Sequence, residues 1–122
     1  MMSSKTNVIV TKTYLFSLGI IKLYNILQSE MHDYVLSKQI LRSGTSIGAN
    51  VNESQSAESK SDFVHKLGIS AKEFRETIYW LNLLKDSNYL NKEICENYIK
   101  DAEEILKILN SIILTSKNNS NN

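Results

Sequence analysis

The sequence contains no proline, one cysteine and four glycines among its 122 residues. Because proline breaks helices, a chain without it can keep helices uninterrupted over most of its length. A single cysteine excludes an internal disulfide and any zinc site built from several cysteines. No segment approaches the ~18 to 20 uncharged apolar residues of a membrane-spanning helix, and the first residues lack the apolar run of a signal peptide. We therefore expect a cytoplasmic protein without membrane contact.

The sequence also lacks an excess of charge. Lysine and arginine total 14 against 13 acidic residues, which gives a net charge of +1. This balance excludes the strong positive field of a typical nucleic-acid binder, so any nucleic-acid site has to be local. With 42% hydrophobic and 22% charged residues, the composition is that of a globular protein. We expect one domain over residues 1–122.

Apolar residues recur at helical spacing in four segments separated by short polar turns. The pattern predicts helices over residues 9–28, 33–56, 61–86 and 92–115, followed by a frayed polar tail over 116–122. The expected N-caps are Thr11 or Thr13 for the first helix, Asp33 for the second, and Ser59 or Ser61 for the third. Short turns make consecutive helices antiparallel neighbours, so the predicted fold is all-α, an up-down-up-down four-helix bundle.

Two glycines stand four residues apart in the second predicted helix, Gly44 and Gly48. A glycine inside a helix costs roughly 1 kcal/mol relative to alanine. This cost is offset where the missing side chains let another helix approach closely. A break of the helix near Gly44 is the alternative.

The first helix carries two apolar stripes, although a bundle needs only one. The first stripe consists of Phe16, Ile20, Leu23 and Leu27, and the second of Tyr14, Leu18, Ile21 and Tyr24. The third helix adds Tyr79, Trp80 and Leu83. Surplus apolar surface is typical of an interface, so we expect a homo-oligomer. The alternative is that the aromatic side chains only cover the ends of the core.

The patterns that carry catalysis are weak in this sequence. Asp62 and His65 give one acid-x-x-His spacing, whereas a di-iron bundle needs two. Cys95 occupies a helical apolar position and is typical of a small core residue. The sequence has no Walker loop, dinucleotide glycine motif or serine-hydrolase elbow. We therefore predict no catalytic residue, no cofactor and no metal, and hence no enzyme.

One polar constellation lies on the second and third helices. Arg42 and Asn50 follow the second helix at steps of four residues, Glu53 is close by, and Glu76 lies on the third helix. We expect Arg42 to pair with Glu76 in a structural polar network that Asn50 and Glu53 complete. The alternative is that each side chain is simply solvated.

Basic residues also collect on these two helices, and they are the candidate nucleic-acid contacts: Lys38, Lys60, Lys66, Lys72 and Arg75. An oligomer would repeat this modest patch and so contact several phosphates at once. Acidic residues are interleaved with them in sequence, namely Glu58, Asp62, Glu73 and Glu76. A mixed, solvated face is therefore the alternative.

The segment from Gln39 to Glu53, Q-I-L-R-S-G-T-S-I-G-A-N-V-N-E, is followed by S-K-S-D-F from Ser59. Together they resemble the central signature of the bacterial four-helix-bundle proteins that are called the 23S rRNA-intervening sequence protein family. The positions that match the signature are Gln39, Arg42, Ser46, Asn50, Glu53 and Glu76. Leu41 departs from an arginine that is frequent there, and Lys60 is left in a turn where the family commonly has arginine.

The resemblance implies a ring-shaped homopentamer, with a dimer as the alternative. The accessory variability proteins of retroelements are similar to this family, and they bind nucleic acid and a reverse transcriptase. The implied function is a non-enzymatic oligomeric scaffold that contacts RNA or DNA as an accessory to a nucleic-acid enzyme. The alternative is a purely protein-binding assembly without nucleic-acid contact.

Overall fold

The computed structural model describes residues 4–120, and over this range the chain forms four helices and no strand. The helices are α1 (Ser4–Ser29), α2 (Leu36–Ser54), α3 (Lys60–Asp86) and α4 (Lys92–Ser120). They pack as a bundle in which α1 contacts α2 and α4, and α3 contacts α2 and α4. The predicted all-α four-helix bundle is thus confirmed.

Contacts between the helices show that neighbours run in opposite directions. Between α2 and α3, Glu53 pairs with Lys66 near one end, and Arg42 pairs with Glu76 towards the other. Between α1 and α2, the contact of Ile20 with Gly44 lies nearer the turn than that of Thr13 with Gly48. Each of these helix pairs is therefore antiparallel, as short turns require.

The core is a continuous cluster of aliphatic and aromatic side chains from all four helices. Its largest fully buried members include Ile20, Ile47, Phe74 and Leu109. The rings of Phe16 and Phe74 lie 5.7 Å apart between centroids and join α1 to α3 across the bundle. Burial of this apolar surface is the main stabilising contribution.

The two glycines of α2 mark the closest approach of two helices. A Cβ on Gly44 would lie 2.8 Å from Cγ1 and Cγ2 of Ile20, and one on Gly48 would lie 3.1 Å from the carbonyl oxygen of Thr13. Helix α2 runs through both glycines without interruption. The expected close approach is therefore present, and the alternative of a break near Gly44 is wrong.

Helix α1 begins before the predicted caps. Thr11 and Thr13 lie inside α1, and the Thr13 hydroxyl donates a hydrogen bond of 2.7 Å to the carbonyl of Ile9 one turn earlier. A threonine hydroxyl satisfied in this way is compatible with a helix interior. With no proline or glycine ahead of it, the helix extends back to Ser4, so both predicted caps are wrong.

The ends of the other helices also differ from the prediction in detail. Asp33 lies three residues before α2, and its Oδ1 accepts hydrogen bonds from the amides of Val35 and Leu36, so the chain turns before the helix starts. Ser59 caps α3 through the amide of Asp62. Helix α4 continues to Ser120, beyond the predicted end at residue 115, because a polar sequence without glycine or proline still permits a helix. The remainder of the predicted tail, residues 121–122, lies outside the described residues.

One hydrogen bond joins the first helix to the last. The Tyr98 hydroxyl of α4 donates to the carbonyl of Gly19 in α1 at 2.8 Å. Burial raises the pKa of Tyr98 above its usual value. Within residues 4–120, no helix is both long and apolar enough to cross a membrane.

Candidate functional site

Arg42 is the centre of a polar cluster on the surface of α2 and α3. Its guanidinium contacts the carboxylate of Glu76 and lies 3.5 Å from Oε2 of Glu73. Gln39 accepts a hydrogen bond of 3.3 Å from the guanidinium, and the indole of Trp80 donates one of 3.1 Å to Glu76. One cation therefore bridges two carboxylates on successive turns of α3.

The carboxylate of Glu73 is the buried member of this cluster. Its side chain is 17% exposed, against 51% for that of Arg42. Although Oε2 of Glu73 lies within ion-pair distance of Arg42, it accepts no hydrogen bond. Glu73 thus depends on the nearby guanidinium for its compensation. Since both carboxylates lie against Arg42, the arrangement fixes the register of the two helices.

Two predicted members of the network lie elsewhere. The Asn50 amide donates to the carbonyl of Ser46 at 2.8 Å, one turn earlier in its own helix. Glu53 pairs with Lys66 at 3.2 Å. The prediction that Asn50 and Glu53 complete the Arg42–Glu76 network is therefore wrong. Spacing of four residues placed these side chains on one side of α2, but they are separated along the helix by two or more turns, and each finds a nearer partner.

Beneath the cluster, hydroxyl groups join α2 to α3 inside the bundle. The hydroxyl oxygens of Ser43 and Thr77 lie 2.9 Å apart, and Ser70 donates a hydrogen bond of 2.9 Å to the carbonyl of Ile47. Thr77 itself donates to the carbonyl of Glu73 at 2.8 Å, so it accepts from Ser43. These buried polar groups are satisfied only in this register of the two helices. The polar contacts of Ser70 and Thr77 were not predicted, because the only signal in the sequence is a polar residue at a core position.

The five candidate basic contacts differ in exposure and in their partners. Lys66 is occupied by Glu53, while Lys38, on α2, and Lys60, at the start of α3, are exposed. Lys72 and Arg75 are exposed on the third helix. Of the acids interleaved with them in sequence, Glu73 and Glu76 are turned towards α2 and held there by Arg42.

An open groove between α3 and α4 is lined by basic side chains that were not predicted to lie together. It has a volume of about 540 Å³ and is lined by His65, Gly68 and Lys72 of α3 and by Lys117 of α4, among others. A Cβ on Gly68 would meet no atom within 4 Å. Lys117 was assigned to the frayed tail, and Gly68 has no second glycine at helical spacing, so neither residue gave a signal.

The outer face of α1 is the other surface of note. Large apolar side chains are exposed along it, on the side of the helix opposite the core: Val8, Tyr14, Leu15, Leu18 and Ile21. Tyr24, assigned to the same stripe, is half-buried. The second apolar stripe of the sequence is therefore exposed over most of its length, and no other part of the described chain covers it.

The residues weighed for catalysis are Cys95, Asp62 and His65. Cys95 is buried, and its burial raises the pKa of the thiol, which favours the protonated form over the nucleophilic thiolate. Asp62 accepts a hydrogen bond from the amide of Glu58 at the start of α3, while His65 is exposed. Among residues 4–120, no group of three or more histidine, cysteine, aspartate or glutamate side chains is placed to hold a metal ion.

Comparison with known proteins agrees with this geometry. The family model described as 23S rRNA-intervening sequence protein matches residues 5–111. The chain is similar to a crystal structure of a protein of unknown function from the S23 ribosomal protein family of Bacteroides thetaiotaomicron. The two share 49% identity and superpose with a TM-score of 0.87, over 89% of this chain and 97% of the other. No curated protein matches. A family match over most of the residues shows that the chain belongs to the 23S rRNA-intervening sequence protein family.

Proposed function

We propose that this protein is a non-enzymatic assembly module. Copies of the chain associate through the outer face of α1, and the assembly presents its remaining surface to RNA or DNA, beside a nucleic-acid enzyme. A ring of five copies is the favoured assembly and a dimer is the alternative. The observation that carries the proposal is the exposed apolar face of α1.

The exposed apolar side chains of α1 are too many and too continuous for an ordinary surface. Tyr14 is 65% exposed and Leu15 58% exposed, and Leu18 and Ile21 continue the same face for two further turns. Single exposed apolar residues are normal, but a contiguous apolar patch marks an interaction site. An identical helix from a second copy would bring the same apolar side chains to this face, so self-association covers it without any further partner.

Nucleic-acid contact is supported by how the charges are distributed. The acids Glu73 and Glu76 contact Arg42 on the α2 side of α3, whereas Lys72 and Arg75 are exposed and form no ion pair within the described residues. The description of the family also refers to ribosomal RNA. Because the net charge is only +1, each copy provides few phosphate contacts, and an assembly multiplies them.

A second candidate, protein binding without nucleic acid, is favoured by a different surface. Tyr34 and Val35 precede α2, Tyr79 and Leu83 lie near the end of α3, and all four are exposed. Because α2 and α3 are antiparallel, these residues lie at the same end of the bundle. A protein partner that binds there would leave the outer face of α1 free for assembly.

Light scattering after size-exclusion chromatography tests the proposal. The wild type is expected to show a mass several times the 13.9 kDa of one chain. Leu18→Glu places a charge in the centre of the α1 face, so it should dissociate the assembly, because burying an unpaired charge is costly.

Leu114→Glu is the matched control, since Leu114 is an exposed leucine of α4, 61% exposed. It should leave the mass unchanged. A wild type that stays at the mass of one chain at every concentration would refute self-association, and a mass of two chains would select the dimer.

A further inference from the structure

We propose that the groove between α3 and α4 binds the phosphodiester backbone of a nucleic acid, with Lys72 and Lys117 neutralising phosphates on either side of Gly68. The proposal rests on the nucleic-acid contact proposed above and assigns it to one surface. It does not depend on self-association.

The lining of the groove carries basic side chains and no acidic ones. Its charged and polar lining consists of Ser61, His65 and Lys72 from α3 and Lys117 from α4, and no carboxylate lines it. Within the described residues, neither Lys72 nor Lys117 forms an ion pair. Both ammonium groups are therefore free to bind an anion from outside the chain.

The helices on either side reinforce this segregation of charge. On α3, Glu73 and Glu76 contact Arg42 of α2, and neither of them lines the groove. On α4, the segment over residues 105–120 contains two lysines and no acidic residue. The acids of α4, such as Glu103 and Glu104, come earlier in the helix, where they line a separate groove beside Lys85. Thus no acidic side chain lines the groove, although the whole chain is nearly neutral.

Gly68 gives the groove a floor made of helix backbone. A Cβ at this position would meet nothing within 4 Å, so packing inside the chain does not require a glycine here. At Gly44, by contrast, a Cβ would meet the side chain of Ile20 at 2.8 Å. An absent side chain at Gly68 instead lets a group from outside approach the helix between His65 and Lys72.

The shape of the groove favours a polymer over a small ligand. It is open to solvent along the surface between two helices rather than enclosed, and it combines cationic side chains with a hydroxyl and an imidazole. Lysine and serine are among the side chains that contact phosphates in protein–nucleic acid complexes, and these contacts carry no base-sequence information. We therefore assign the groove to the sugar–phosphate backbone and expect little sequence preference.

Fluorescence anisotropy with an RNA duplex and a DNA duplex of the same sequence tests the assignment at 50 and 200 mM salt. Two phosphate contacts per copy predict that wild-type affinity falls roughly tenfold over this range. Lys72→Gln/Lys117→Gln should weaken binding about tenfold at 50 mM salt and reduce the slope of log affinity against log salt by about 2 for each bound copy.

Lys100→Gln/Lys107→Gln is the matched control, because it removes the same charge from exposed lysines that line the separate groove beside Lys85. Its affinity should stay within about twofold of wild type, since neither lysine contacts phosphate in this assignment. Gly68→Leu is a second variant that fills the groove without changing the charge. It should also weaken binding, and circular dichroism should show that its helices are intact.

The outcomes separate this assignment from the proposed function. If the wild type binds neither duplex at 50 mM salt, both this assignment and the proposed nucleic-acid contact are refuted. If the wild type binds and the control variant loses as much affinity as the groove variant, the groove assignment fails while nucleic-acid contact stands. Selective loss in the groove variants supports the assignment, and the duplex affected identifies RNA, DNA or both as the ligand.

Discussion

Glycine serves two different purposes in this bundle, one at the contact of α1 with α2 and one at the groove between α3 and α4. At the first contact, Gly44 makes room for the buried side chain of Ile20. At the groove, Gly68 makes room for nothing within the chain. The same residue type, with the same helix penalty, is therefore explained by packing inside the chain in one region and not in the other.

The largest expected effect is that of Gly44→Ala. Its new Cβ would lie 2.8 Å from two atoms of Ile20, a branched and fully buried side chain that cannot move away freely. Overpacking of this kind costs ~1 to 3 kcal/mol in the free energy of unfolding, which urea denaturation measures.

The double variant Ile20→Ala/Gly44→Ala identifies the cause. If the two side chains collide, the double variant loses less stability than the sum of the single variants. Additive losses would show that Gly44 is needed for some reason other than the approach of Ile20.

Arg42→Ala tests the contact of α2 with α3, where the polar cluster around Arg42 joins the two helices. The side chain of Arg42 is half-exposed, so its ion pairs are screened by solvent, but its loss leaves Glu73 without a cation. We expect a loss of ~1 to 2 kcal/mol in thermal or urea unfolding. Lys38→Ala, on the same helix but without an ion pair, serves as the control. A loss no larger than that of the control would show that the cluster contributes nothing to stability.

Tyr98→Phe tests the contact of α1 with α4 and predicts a pH dependence. Loss of the hydrogen bond to Gly19 should cost ~1 kcal/mol at neutral pH. Burial raises the pKa of Tyr98, so the unfolded chain, with a tyrosine pKa of ~10, releases its proton first as the pH rises.

The wild type should therefore lose stability as the pH rises from the unfolded pKa through the folded one. The phenylalanine variant should lose less over this range, so the difference between the two proteins narrows at alkaline pH. Urea unfolding at pH 7 and at pH 11 makes the comparison. A difference that stays constant would show that burial of the hydroxyl does not affect its ionisation.

Gly68→Ala has the smallest expected effect and the opposite sign. Because nothing lies within 4 Å of the new Cβ, alanine only improves helix propensity, and stability should rise by up to ~1 kcal/mol. A decrease in the free energy of unfolding would show that Gly68 packs against another copy or segment. Gly68 would then be a packing glycine like Gly44.

The sequence predicts the fold well because helix formation and the spacing of apolar residues depend on neighbours in the sequence. Apolar residues at helical spacing locate all four helices, and the spacing of Gly44 and Gly48 predicts the close approach of another helix, which the structure identifies as α1. Helix ends are less predictable. A hydroxyl such as that of Thr13 is satisfied equally by capping a helix or by donating to the preceding turn, and local sequence does not decide between the two.

The candidate sites are predicted less well, because they join residues that are distant in sequence. Spacing placed Arg42 and Asn50 on the same side of α2, but it could not show that Glu73 lies beside Arg42 and that Asn50 bonds within its own helix. The groove between α3 and α4 was not predicted, because Lys117 lines it only when α4 continues beyond its predicted end.

The order of the helices has a consequence for how rapidly the bundle forms. Three of its four helix contacts join helices that are consecutive in the chain, and the turns between them contain five or six residues. Folds dominated by contacts between neighbouring segments have low contact order and reach the native state in microseconds to milliseconds. Only α1 and α4 must close a loop that spans the intervening helices. The contact of α1 with α4, which includes the hydrogen bond from Tyr98 to Gly19, is therefore expected to open first. Backbone amide protons of the helix faces at this contact should exchange with solvent before those at the contact of α2 with α3.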